Sequence, residues 1–143
     1  TSLAEDTGLE VEALLGAPGV HTARYAGLDS EPDANMDLLL YRLTNQANRS
    51  AQFRTVIAYV TKNSFRYFEG VVHGTIATQK SGTGGFGYDP IFIPDGYDKS
   101  FASLPKVIKN NISHRARAVQ SLTAFLSHPH LHEINPVFSS EEE

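Results

Sequence analysis

The 143-residue chain contains no cysteine, and that absence excludes a disulfide framework, a thiolate zinc site and a cysteine nucleophile at once. It also lacks any apolar run of the roughly 18 to 20 residues that a membrane-spanning helix needs. Basic charge is scarce: the formal net charge is −4, which argues against a broad cationic surface for a nucleic-acid backbone or a membrane. The few cations that could meet an anionic ligand cluster late, at Lys99, Lys106, Lys109, Arg115 and Arg117. An initiator methionine is missing too, since Thr1 opens directly in strand-like sequence, and an N-terminally incomplete protein is expected. What remains is 41% hydrophobic and 20% charged, the balance of a single globular domain over residues 1–143 with a cytoplasmic location as the expectation.

Against these absences one stretch is rich. Ser81 to Phe92 reads S-G-T-G-G-F-G-Y-D-P-I-F, with Gly82, Gly84, Gly85 and Gly87 leaving a bare backbone around one large ring, Phe86. Glycines allow positive φ and close approach to a ligand, and an aromatic held among them is a platform for a flat heterocycle. Tyr88 and Asp89 add polar edges. Gly82, Gly84 and Gly87 also satisfy G-x-G-x-x-G, but a dinucleotide turn requires a helix directly after the last glycine. Here Tyr88-Asp89-Pro90-Ile91-Phe92-Ile93-Pro94 follows, with two prolines and a β-branched, aromatic run that reads as a strand or extended segment.

Along the chain, Leu3 to Val11 reads as a strand end, a turn at Asp6-Thr7-Gly8, and an alternating segment with Leu9, Val11 and Ala13 on one side and Glu10 and Glu12 on a wet face. Glu5 and Asp6, beside a hydroxyl and a glycine, are candidates to hold a hard cation or orient a water. Arg24 and Tyr25 carry no assignable chemistry. Asp33 to Leu43 reads as a helix capped by Asp33, with Met36, Leu39, Leu40 and Leu43 as its buried stripe. Ala51–Thr61 and Phe65–Thr78 have strand composition, and Lys62-Asn63-Ser64 between them is too short for anything but an antiparallel hairpin. Gly70 and Gly74 mark bulges, a twisted edge or close backbone approach. Phe101 to Pro105 suggests one helical turn. Ser113 then caps a strong helix whose apolar face is Ala118, Val119, Leu122, Phe125 and Leu126. His114 and Arg115 fall in its first turn, where the dipole disfavours cations, so a negatively charged or acceptor-rich partner is expected there. His128, His130 and His132 read as part of a surface tail over residues 128–143.

The motifs in order resemble one known family. A-E-D-T-G-L-E-V-E-A-L from Ala4, G-A-P-G-V-H-T-A-R-Y-A-G from Gly16, G-T-G-G-F-G-Y-D-P-I-F from Gly82 and K-N-N-I-S-H-R from Lys109 together look like the inosine triphosphate pyrophosphatase family, over the chain to about Leu126. That resemblance implies an α/β fold: an elongated, twisted mixed sheet flanked by helices, with two lobes and a nucleotide cleft between them. It implies hydrolysis of non-canonical purine nucleoside triphosphates (ITP, dITP, XTP) to the monophosphate and pyrophosphate, with Mg²⁺ as cofactor and a homodimer as assembly. Carried onto this sequence, Asp6 would be the metal-binding and proton-accepting carboxylate and Glu5 its neighbour at the metal. Thr7 would touch substrate and Phe86 would stack on the purine. Gly87, Tyr88 and Asp89 would complete the base and sugar wall. Lys109 would contact substrate, and His114 and Arg115 would read the 6-oxo edge. The resemblance also implies a phosphate-binding T-G-N-x-x-K segment and a following metal-binding glutamate, neither of which occurs in these residues, and Glu5 stands where many members carry Asp. Two alternatives stay open, a pyrophosphatase for other modified nucleotides and a non-catalytic nucleotide-binding or oligomerisation module.

Overall fold

The computed structural model describes residues 1–85 and 87–127. Its frame is a four-stranded sheet in the order β1-β2-β3-β4, formed by Ser2–Val11, Ser50–Val60, Phe65–Ile76 and Phe92–Pro94. All three pairings are antiparallel, so the mixed sheet that the resemblance implies does not occur among the described residues. β2 and β3 form the expected hairpin, closed where the Thr61 amide donates to the Ser64 carbonyl at 2.8 Å.

β1 is longer than the sequence suggests. No turn forms at Asp6-Thr7-Gly8, because these residues pair in register with Val56, Thr55 and Arg54 of β2. Ladder pairing along a ten-residue strand outweighs the local turn preference of an Asp-Thr-Gly triplet. The alternation then holds as read: Leu9 and Val11 are fully buried, whereas Glu10 lies on the opposite face and meets Arg54 and Gln52.

Helices α1 (Pro32–Arg42), α2 (Lys106–Ile112) and α3 (His114–Ser127) carry the rest of the fold. In α1 the cap position is Glu31, without a side-chain cap, and Pro32 takes the first helical position, which its fixed φ suits. Asp33 is thereby moved inside the first turn, where it and Asp37 both accept from Lys80. Met36, Leu39 and Leu43 are buried with Leu9, Val11, Phe53, Val72, Ile76 and Phe92 in the larger core. A second cluster joins Ala118, Leu122 and Phe125 of α3 to Ile57 and Phe68 of the sheet. Val119 and Leu126 are not part of that face; they are 40% and 52% exposed, because the stripe that meets the sheet is narrower than the helical apolar pattern.

Close approach explains the strand glycines. A Cβ on Gly70 would stand 1.9 Å from the His114 carbonyl oxygen, and one on Gly74 would stand 2.3 Å from that of Ile93. The register of β2 and β3 runs unbroken past both, so they are contact points and not bulges. Asp89-Pro90-Ile91 forms a short 3₁₀ turn where an extended run was expected, and the strand that follows is confined to Phe92–Pro94.

Candidate functional site

One side of the sheet carries Thr7, Phe53, Thr55 and Ile57. α3 lies over it with its first residue pressed onto Gly70. Between this wall, the segment at Thr22–Ala23 and the end of the glycine loop lies a cleft of about 800 Å³. Its lining includes Glu5, Thr7, Gly87, Tyr88, Asp89, Lys109, His114 and Arg115, so nearly every residue singled out from the sequence meets in one place. Phe86 lies outside the described residues, as do His128, His130 and His132.

The described part of the glycine loop is held by hydrogen bonds. Ser81 donates its amide to Pro90 and Gly84 donates to Ala102, while the Ser100 hydroxyl donates to the Ser81 carbonyl. Gly85 has φ +71°, and a Cβ there would fall 2.1 Å from Asp89 Oδ2, so only glycine fits. Tyr88 is buried and its hydroxyl donates to the Thr22 carbonyl at 2.7 Å, fastening the loop to the facing segment. Burial, with a smaller contribution from Tyr25, raises the Tyr88 pKa and keeps the phenol protonated. Asp89, also buried, accepts from Lys109 Nζ, which reaches it from α2 and lies 5.9 Å from the centre of the Phe101 ring.

The start of α3 is set by a cap. Ser113 is extended, and its hydroxyl accepts from the Ala116 amide at 3.1 Å, as the sequence predicts. The break between α2 and α3 at this residue turns His114 inward and Arg115 outward. His114 stacks on Phe53 with ring centroids 4.8 Å apart, and its Nδ1 lies 2.5 Å from Thr55 Oγ1. Burial lowers its pKa to about 4; Asp89 opposes the shift and Lys109 reinforces it, so the ring is neutral near pH 7. Arg115 Nε donates to Glu5 Oε2 at 2.6 Å, and that bond raises the pKa of the guanidinium. The acceptor-rich partner expected at this helix end is thus supplied in part by the chain itself.

Glu5 and Asp6 do not form a pair. Successive side chains on a strand leave opposite faces, so Glu5 lines the cleft with Thr7 while Asp6 is exposed on the far side. Adjacency in sequence hid this. Among the described residues no group of three His, Cys, Asp or Glu side chains could hold a metal ion. The carboxylates therefore do not fit a complete Mg²⁺ site.

Two contributors were missed. Phe53 is the ring under His114, and Thr55 is fully buried between Thr7 and His114. The signal for Thr55 lay in the sequence: it is the single hydroxyl in the inward alternation Phe53, Thr55, Ile57. Val119, set aside as an apolar helix position, lines the cleft as well.

Comparison with known proteins converges on one group. The model of the Ham1 family matches residues 1–125. A protein of Flavobacterium johnsoniae named dITP/XTP pyrophosphatase is 53% identical over 124 residues, covering 87% of this chain and 65% of its own length. One of the same name from Porphyromonas gingivalis is 55% identical over 124 residues, covering 86% and 64%. The solved Ham1 protein of Staphylococcus aureus superposes with a TM-score of 0.85 at 47% identity, over 87% of this chain and 66% of its own. The HAM1 protein of Coxiella burnetii gives 0.83 at 38% identity with the same coverage. The chain spans about 65% of the length of the curated relatives it matches.

Proposed function

The chain belongs to the Ham1 family, and from that premise we propose that the protein carrying it hydrolyses non-canonical purine nucleoside triphosphates, dITP, XTP and ITP, to monophosphate and pyrophosphate. Support comes from relatives half identical to it that bear the name dITP/XTP pyrophosphatase. The observation that carries the reading is the His114–Arg115 pair, which brings a neutral imidazole and a guanidinium bonded through Nε to Glu5 to the lining of a cleft able to take a purine.

In this reading the base lies in the cleft with its 6-oxo edge toward His114 and Arg115. Arginine has only donors, so it satisfies a keto oxygen and leaves the amino group of adenine facing another donor. Gly87, Tyr88 and Asp89 form the wall beside the base and sugar, with Phe86 stacking on the ring, and Lys109 contacts substrate while held by Asp89. Thr7 offers its hydroxyl from the sheet. Asp6 is proposed as the carboxylate that orients the attacking water and accepts its proton, on the opposite side of β1 from the base. Mg²⁺ is proposed as the cofactor of the whole protein, although Glu5 and Asp6 do not by themselves form its site. Two lobes, a homodimer and a cytoplasmic location belong to the same proposal.

Arg115→Ala tests it. Removing a donor from a charged hydrogen bond costs about 1.5 to 3 kcal/mol, so kcat/KM for ITP should fall roughly ten- to a hundredfold while that for ATP stays nearly constant. Parallel losses for both nucleotides, shrinking as salt rises, would instead make Arg115 a general attractor of phosphate.

A further inference from the structure

Thr55 has no exposed surface and sits at the centre of a three-residue chain of hydrogen bonds. Its Oγ1 lies 2.9 Å from Thr7 Oγ1 on β1 and 2.5 Å from His114 Nδ1 at the start of α3. A threonine hydroxyl has one proton to donate. If it is given to His114 Nδ1, the neutral imidazole must carry its own proton on Nε2, and the Thr7 hydroxyl donates back to Thr55. If Nδ1 carries the proton and donates to Thr55, the Thr55 proton goes to Thr7 and Nε2 becomes an acceptor. The first state presents an N–H to the cleft and the second a lone pair, which are opposite requirements for the 6 position of a purine.

We propose that Thr55 is a positioning residue that donates to Nδ1 of His114, fixing the tautomer whose Nε2–H faces the cleft and so favours a keto over an amino purine. The geometry leaves the ring little choice of orientation. Phe53 stacks against one face at 23° between planes and the backbone of His114 is seated on Gly70, and a ring turned over about χ2 would set a carbon against the buried Thr55 hydroxyl and cost it this hydrogen bond. Thr7, at the exposed end of the chain of bonds, has a hydroxyl that can turn to serve either state. The discriminating atom is therefore the buried one. The chain of bonds through Thr55 stands on geometry alone; the choice of tautomer and the substrate preference rest on the reading given under Proposed function.

The test uses the protein carrying this chain, isotopically labelled at histidine, with the ring nitrogens of His114 assigned by comparison with His114→Gln. In the parent, Nε2 should have the shift of a protonated nitrogen and Nδ1 that of an unprotonated acceptor. Thr55→Val keeps the shape and removes the hydroxyl; the ring should then show a mixture of tautomers, and the ratio of kcat/KM for ITP over ATP should fall about tenfold or more. Thr55→Ser should restore both readings. A proton found on Nδ1 in the parent overturns the proposal even if the valine variant does not fold. So does a Thr55→Val protein whose ring nitrogens are unchanged. If the parent does not prefer ITP to ATP while Thr55 still controls the ring proton, the substrate reading fails and the positioning role stands.

Discussion

The inner and outer halves of β1 belong to one continuous strand paired with one partner, yet they live in different surroundings. Leu9 and Val11 are sealed under α1 and the larger core, whereas Ser2 to Thr7 are all exposed. The contrast extends across the cleft. On the wall opposite, described groups with proposed chemistry are already engaged: Asp89 with Lys109, His114 with Thr55 and Phe53, Tyr88 with Thr22. At the outer half of β1, Glu5 has one exposed partner and Asp6 projects into solvent. Where recognition groups double as packing, a substitution disturbs the fold and the function together. Where a carboxylate stands clear of the core, function can be removed alone.

The largest effect that would sharpen this contrast belongs to the recognition wall. Gly70→Ala drives a methyl into the His114 carbonyl and to 2.4 Å from the Ala118 amide nitrogen, both backbone atoms that cannot rotate away. We expect a loss of about 3 kcal/mol or more in urea unfolding, at the upper end of overpacking costs, with loss of selectivity as the start of α3 lifts. A stability within error of the parent would show that the seat is not tight.

Acid should act on the same wall. Above pH 6.5 His114 is neutral in both states and its contribution is fully present; as pH falls toward about 4 the unfolded chain takes up the proton first, and stability drains away. Integrated over that window the loss reaches at most about 3 kcal/mol, and His114→Gln should flatten that part of the pH–stability curve. Identical curves for the two proteins between pH 4 and 6.5 would place the acid sensitivity elsewhere.

Asp6→Asn examines the other half. Loss of a catalytic base costs about 10²-fold or more, so kcat should fall by that factor while the unfolding midpoint stays put, a surface change being worth no more than about 0.5 kcal/mol. Should kcat remain above a tenth of the parent value, Asp6 is not the base. A large drop in stability would break the comparison itself.

What the sequence revealed followed from periodicity and local chemistry. The β2–β3 hairpin has alternation and a connector too short for a crossover, and α3 has a serine cap ahead of a helical apolar pattern, so both were legible. Helix α2 was not, because Lys106–Ile112 is seven residues long and buries none of them. The Glu5–Asp6 pair was misleading for a geometric reason: two neighbours make a chelating pair at a turn and not on a strand, and whether Asp6-Thr7-Gly8 turns is decided by Thr55 and Arg54 some fifty residues away. The convergence of Lys109, His114 and Asp89 likewise depends on tertiary packing, since only the fold brings α2 beneath the glycine loop.

The tether between Tyr88 and Thr22 has a consequence for the thermodynamics of ligand capture. A loop with four glycines ordinarily loses much conformational freedom when a guest stiffens it, and each such residue ordered on binding would weaken the complex by about 1 to 2 kcal/mol. Here the described part of the loop is already fastened through Pro90, Ala102, Ser100 and Thr22 before any guest arrives. For those residues the ordering entropy is charged to folding, so association leaves their freedom nearly unchanged, and a small heterocycle needs less interface to compensate.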